Sequence, residues 1–247
     1  MQSCCFRGFQ WNGTPKGKTE PFPTSTNQAY VTGVNKDTAI MLVHDAFGWS
    51  FGNNRLLADH LAEEVNATVY LPDLFGGEVL PSDSLSDRSR WGDFDMDGFQ
   101  KRNSRAIREP ELFECAKHLR SQYKKVGAIG YCYGGWAVFR LAAKGHNLVD
   151  CVVAGHPSWV TRNDIDGVDV PTQILAPEID HAYTDELKEH TWETLQKHSV
   201  PFDYQHFPGV EHACLVRGDP KRPGERDAMI RGKNAAVGWF KQYLHRY

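Results

Sequence analysis

One stretch constrains the fold of this chain more than any other: Val126-Gly127-Ala128-Ile129-Gly130-Tyr131-Cys132-Tyr133-Gly134-Gly135-Trp136-Ala137-Val138. A short apolar run enters Gly-x-Cys-x-Gly-Gly, and a helix-like run leaves it. The pattern is strand, sharp turn, helix, with Cys132 at the apex where a nucleophile elbow usually carries Ser. On such a turn the apical side chain projects above the end of a sheet. Residues two before and two after it are crowded, and glycine at Gly130 and Gly134 removes the Cβ atoms that would collide. A cysteine elsewhere in a core is a small apolar filler. The flanking glycines and their setting make Cys132 a candidate nucleophile.

Around this turn, apolar runs of strand length alternate with amphipathic segments of helix length. The alternation predicts an α/β single-domain fold, with a mostly parallel central sheet and helices on both faces. Strands are expected over 39–44, 67–71, 126–130, 151–154, 172–176 and 202–206, and helices over 54–65, 99–123, 135–143, 184–198 and 225–247. In the first helix Leu57, Leu61 and Val65 recur every fourth residue and form a core-facing stripe. Pro110 is expected to interrupt or restart the second helix, because it lacks an N–H for the preceding turn. Residues 1–28, rich in Gly, Pro, Thr and Asn, are expected to form an irregular arm, leaving 29–247 as one domain. Residues 76–98 read as a loop-like insertion carrying Asp83, Asp87, Asp93, Asp95 and Asp97.

Composition excludes several classes of function. The chain has 247 residues, a length that suits one substantial core. Its formal net charge is −3, with no basic block, so neither nucleic acid nor an anionic membrane is an expected partner. No apolar run approaches the roughly 18–20 residues that span a bilayer, and the N-terminus lacks the apolar core of a signal peptide. Six cysteines occur, with Cys4 and Cys5 adjacent and the others scattered through apparent core elements. No Cys-x-x-Cys pair has zinc spacing. The expectation is reduced thiols, no metal and a cytoplasmic location.

A cysteine nucleophile needs a base to take its proton and a group to orient that base. In sheets of this type the chain order of a triad is nucleophile, acid, His. Downstream of Cys132, Ile174-Leu175-Ala176-Pro177-Glu178-Ile179-Asp180-His181 runs from a strand into an acidic loop. Later, Phe207-Pro208-Gly209-Val210-Glu211-His212-Ala213 forms a post-strand loop ending in His. Asp180 and His212 are therefore the candidate acid and base. Asp185 is taken as the cap of the following helix, leaving Asp180 for the His, and Glu178 is the alternative orienter. His181 reads as a loop residue rather than the base or a metal ligand.

With these residues in place, the chain resembles the dienelactone hydrolase family, and its fungal members most closely. The matching stretches are Gly-Tyr-Cys-Tyr-Gly-Gly at 130–135, Pro-Glu-Ile-Asp-His at 177–181 and Gly-Val-Glu-His-Ala at 209–213, followed by Val-Arg-Gly-Asp at 216–219. Asp-Ala-Phe-Gly-Trp at 45–49 and the N-terminal Ser-Cys-Cys near Gly-Phe-Gln-Trp-Asn-Gly-Thr-Pro match as well. The resemblance implies an α/β-hydrolase fold, a triad of Cys132, Asp180 and His212, and no metal or organic cofactor. Bacterial members carry Glu where this chain has Asp45, and there the acid helps to deprotonate the Cys. Asp45 is one methylene shorter and is the candidate acid tuning Cys132. Arginines hold the substrate carboxylate in the bacterial enzymes. Arg217 is the candidate here, with the second partner left open among Arg88, Arg90, Arg102 and Arg105.

The backbone N–H of Tyr133 follows the nucleophile directly and is one expected oxyanion donor, with Ala46 the second. Trp49, Trp91, Trp159 and Tyr133 are candidate pocket walls. The expected activity is cleavage of a small-molecule lactone or activated ester through an acyl-cysteine, by a monomer or homodimer. The same thioester also permits lactonisation, ring rearrangement or C–C cleavage in fungal secondary metabolism. A binding or scaffold protein that has kept the fold without the chemistry is the alternative of another class.

Overall fold

A computed structural model describes residues 8–23, 27–80 and 94–245. Its core is an eight-stranded sheet. The strands are β1 Lys18–Pro21, β2 Gln28–Thr32, β3 Thr38–Val43, β4 Thr68–Pro72, β5 Lys125–Tyr131, β6 Cys151–Gly155, β7 Thr172–Ile179 and β8 Phe202–Glu211. Their spatial order is β1-β2-β4-β3-β5-β6-β7-β8. From β4 to β8 every neighbouring pair is parallel, whereas β1 and β2 pair antiparallel with each other and β2 with β4. The helices are α1 Gly52–Val65, α2 Met96–Arg102, α3 Arg105–Gln122, α4 Gly134–Leu141, α5 Arg162–Asp166, α6 Asp185–Lys197, α7 Cys214–Arg217 and α8 Pro223–Leu244.

The central strands are buried on both faces, which is why they read as unbroken apolar runs rather than alternating ones. Alternation survives in where the side chains go. Met41, Val43, Ala128, Ala154 and Ile174 pack with α3, α4, α5 and α6, whereas Ile40, Leu42, Ile129, Val153 and Leu175 pack with α1, α7 and α8. Leu57, Leu61 and Val65 form the buried stripe of α1, as their spacing predicts. The fold is thus α/β with a mostly parallel sheet between two helical layers.

Three expectations need correction. The segment expected as an irregular arm contains β1 and runs into β2, which add an antiparallel edge beside β4. Strands of four and five residues, one of them the polar run Lys-Thr-Glu-Pro, are weak signals without the sheet they join. The long second helix breaks at Asn103–Ser104, not at Pro110, which lies inside α3. Asn103 is buried and stabilises the break: its amide donates to the Phe99 carbonyl at 3.0 Å and accepts from Arg108 Nε at 2.9 Å. Asp185 is the first residue of α6, and Thr184 occupies the N-cap position. Two short helices, α5 and α7, lie where none was expected.

Candidate active site

The elbow is built as its glycines require. Cys132 adopts φ +51°, a left-handed conformation that costs a non-glycine residue free energy. A Cβ on Gly130 would lie 2.0 Å from the Gly134 carbonyl oxygen, and one on Gly134 would lie 2.2 Å from that of Val43. Neither approach tolerates a side chain. The backbone of Cys132 is held on three sides: its N–H donates to Gly155, and its carbonyl accepts from Gly135 at 2.9 Å and Ser158 at 2.8 Å. Cys132 itself is fully buried.

Asp180 and His212 leave the ends of β7 and β8 and meet 2.8 Å apart through Oδ1 and Nδ1, both side chains buried. Asp180 Oδ1 also accepts from the Ala182 and Tyr183 N–H groups, each at 2.9 Å. These bonds fix the carboxylate before it meets the ring. They also fix the ring, because an acceptor on Nδ1 leaves the proton there and the lone pair on Nε2. Glu178, the alternative orienter, does something else. A register shift between Pro177 and Ile179 accompanies its exposure, and it accepts from the Gly209 N–H at 2.6 Å, bracing the end of β8, which runs on to Glu211 where a loop was expected and leads directly to His212. His181 is exposed.

Asp45 is buried at the end of β3. Its Oδ1 accepts from Phe47 N–H at 3.1 Å and Asn54 Nδ2 at 3.0 Å, and Oδ2 lies 3.1 Å from Arg217 Nη1. Arg217 is buried too, with its guanidinium 4.7 Å from the Phe47 ring centre. Ala46 and Tyr133, the expected oxyanion donors, follow the adjacent parallel strands β3 and β5. The site therefore lies off the carboxyl ends of the strands, where open α/β sheets place their ligands.

The family model for the dienelactone hydrolase family matches residues 27–244. The chain belongs to that family. A hydrolase named tropI from Talaromyces stipitatus is 31% identical over 98% of this chain and 96% of its own length. A carboxymethylenebutenolidase homologue from Xenopus tropicalis is 28% identical over 88% of each. The solved dienelactone hydrolase from Anabaena variabilis superposes with a TM-score of 0.60 at 18% identity, covering 92% of this chain and 97% of that one. As a dienelactone hydrolase family member, the protein is a hydrolase of ester bonds, and its substrate is a small-molecule ester or lactone.

The other residues expected in this dienelactone hydrolase site are scattered in role. Arg217, the candidate partner of a substrate carboxylate, is buried beside Asp45 and lines a cavity together with His212. Of the possible second arginines, Arg105 forms a two-pronged bond to Asp164 at 2.8 Å and donates to the Trp159 carbonyl at 2.7 Å, and Arg102 pairs with Glu78 and Asp95 at the surface. Arg88, Arg90 and Trp91 lie outside the described residues. Trp159 is half-buried and packs edge-on against Tyr133, with ring centres 5.3 Å apart. Tyr133 in turn donates its hydroxyl to the Asn103 carbonyl at 3.0 Å, so the α2–α3 break anchors the residue after Cys132. Trp49 lies under the Arg55 guanidinium at 4.8 Å. Among the described residues no cluster suits a metal ion, no disulfide is formed, and no helix is long and apolar enough to cross a membrane.

Two residues escaped the sequence reading. Ser158 places its hydroxyl 3.5 Å from both Cys132 Sγ and His212 Nε2. His156 is fully buried with its ring centre 4.8 Å from that of His212, and burial, helped by the nearby His212 and Arg217, pushes its pKa well below the usual histidine range. The signal was available: His156-Pro157-Ser158-Trp159 follows β6, the strand beside the elbow strand, at the sheet's ligand-binding end.

Proposed function

We propose that this chain hydrolyses a lactone or activated, enol-type ester through an acyl-cysteine formed on Cys132. The supporting observation is the buried convergence of Cys132 with a His212 whose tautomer Asp180 sets. In this reading His212 Nε2 takes the thiol proton. The thiolate attacks the substrate carbonyl carbon, and charge moves to the carbonyl oxygen beside the N–H groups of Tyr133 and Ala46. Collapse breaks the ester C–O bond, and His212 returns its proton to the leaving oxygen. A water deprotonated by His212 then attacks the thioester, the C–S bond breaks, and the acid leaves. A thiolate attacks readily but is itself easily expelled, so this chemistry favours good leaving groups such as enolates. Trp159 and Trp49 are assigned to the pocket wall. Arg217 neutralises Asp45, whose lone negative charge would otherwise oppose the thiolate.

The test is a panel of lactones, enol esters and aryl esters assayed with the wild type and Cys132→Ala. Turnover of an activated member, lost in the variant at unchanged melting temperature, is expected, together with an acyl adduct on Cys132 trapped by acid quench. Near wild-type turnover in Cys132→Ala would sink the reading. Selective alkylation of Cys132 at neutral pH separates an enzyme from a binding protein, since an unactivated thiol with pKa about 8.5 reacts slowly.

A further inference from the structure

The Ser158 hydroxyl touches both reacting groups of the proposed triad, 3.5 Å from Cys132 Sγ and 3.5 Å from His212 Nε2. Both contacts are long, as catalytic hydrogen bonds often are before substrate binds. Its placement is over-determined. The Ser158 N–H donates to the carbonyl of Cys132 itself at 2.8 Å, tying the two residues together. Pro157 packs so closely on the elbow that a Cβ on Gly135 would lie 2.3 Å from its Cα. His156 and Trp159, on either side, adopt φ +36° and φ +60°, strained values for residues with side chains. Sheet order supplies the reason for the encounter. The β6 loop stands between the Cys132 loop after β5 and the Asp180 loop after β7. Ser158 is 3% exposed, so bulk water competes little for its hydroxyl.

We infer that Ser158 is a further catalytic residue whose hydroxyl stabilises the thiolate–imidazolium form of Cys132 and His212 from both sides. The inference rests on the roles proposed for those two residues. A hydroxyl offers one donor and two acceptor lone pairs. When the proton moves from sulfur to nitrogen, the S–H bond breaks, its electron pair stays on sulfur, and an N–H bond forms on Nε2. Ser158 then donates to the thiolate and accepts from the imidazolium. Both bonds are charge-assisted, whereas in the thiol–imidazole form neither is. The hydroxyl therefore favours the charged pair. Other ionisable groups near it are Asp180 on Nδ1, neutral His156 against the His212 ring, the Asp45–Arg217 pair of opposite charges, and Glu211, which precedes His212 and lines a cavity with it. All remain in a Ser158 variant, so the difference isolates the hydroxyl.

The experiment follows alkylation of Cys132 by iodoacetamide on the full-length chain from about pH 5 to about pH 10, with the site located by mass spectrometry. Ser158→Ala and Ser158→Gly remove the hydroxyl, and Ser158→Thr keeps it; melting temperatures identify folded variants. In the hydroxyl-free variants the Cys132 inflection should rise by about one pH unit or more, with alkylation at pH 7 about tenfold slower. The rate plateau at high pH should be unchanged, and kcat/KM for an aryl ester should fall by a similar factor with its inflection displaced the same way. Ser158→Thr should keep the wild-type inflection. A folded hydroxyl-free variant with the wild-type inflection overturns the inference even if its activity falls, because a structural defect scales the rate at every pH alike. Turnover surviving in Cys132→Ala would instead overturn the triad beneath it.

Discussion

Asp180 and Glu178 stand two residues apart at the end of β7, and the register shift there sends them to different tasks. Asp180→Asn should leave the fold standing but lower kcat/KM by about 10³–10⁴, because an amide permits the wrong His212 tautomer. Glu178→Gln keeps an acceptor for the Gly209 N–H and should change kcat/KM by less than about threefold, since a surface hydrogen bond is a small term. Steady-state kinetics on the two variants decides the matter, and reversed effects would move the orienting role to Glu178. Asp45 and Arg217 are a second case of a partner deciding a role. Removing one member of a buried ion pair strands the other, so Arg217→Ala should lose about 3–5 kcal/mol in denaturant unfolding. The double variant Asp45→Asn with Arg217→Leu should recover much of that loss. If the single variant unfolds like the wild type, the pair carries no such coupling.

At the scale of elements, the N-terminal segment acts as a strap across α1 and α7. Phe9 N–H donates to the Arg217 carbonyl at 2.7 Å, and Trp11 Nε1 donates to the Gly218 carbonyl at 3.1 Å. Asn53 of α1 is the buried hub. It accepts from Trp11 N–H at 2.8 Å and donates to the carbonyls of Phe9 at 2.8 Å and Val216 at 2.9 Å. Through these bonds the strap holds α7, the helix that carries Arg217 and begins two residues after His212. Asn53→Ala leaves three backbone groups without that partner and should cost about 2–3 kcal/mol of stability. Hydrogen exchange should then report loosening at residues 8–11 and 214–217 together. Loosening of the arm alone would mean that α7 is held by its core contacts.

At the scale of the whole molecule, two fully buried histidines set an acid limit. Burial is the main cause that pushes both His44 and His156 below the usual histidine pKa. His44 is held neutral by geometry as well. Its Nε2 accepts from Leu74 N–H at 3.2 Å, while Nδ1 donates to the Asp45 carbonyl at 2.8 Å. In the unfolded chain each histidine binds a proton below about pH 6.5, but in the folded one each stays neutral to lower pH. The unfolded state thus binds more protons in that window, and stability falls as pH drops from about 6.5 toward 5. Each histidine contributes up to about 1.4 kcal/mol per pH unit. His156→Asn, which tolerates the positive φ, should remove close to half of that slope in denaturant titrations. An unchanged slope would mean that His156 is already protonated in the folded protein.

Most residues of the proposed site carry a local sequence signal. Covalent and local rules supply those signals: an elbow needs glycines at fixed offsets from its apex, central parallel strands need long apolar runs, and the proposed triad follows the expected chain order. Gly130, Cys132, Asp180 and His212 could be read that way because each signal lies within a few residues or follows strand order. The pairing of Asp45 with Arg217 could not, and Ser158 and His156 carry only their place after β6, with no motif of their own. Their meaning depends on which strand ends are neighbours, and residues 45 and 217 are brought together across the chain by the crossing order of the sheet. Burial does the rest. A carboxylate or guanidinium in sequence looks ready for solvent or substrate, and the tertiary structure alone determines that these two are buried 3.1 Å apart.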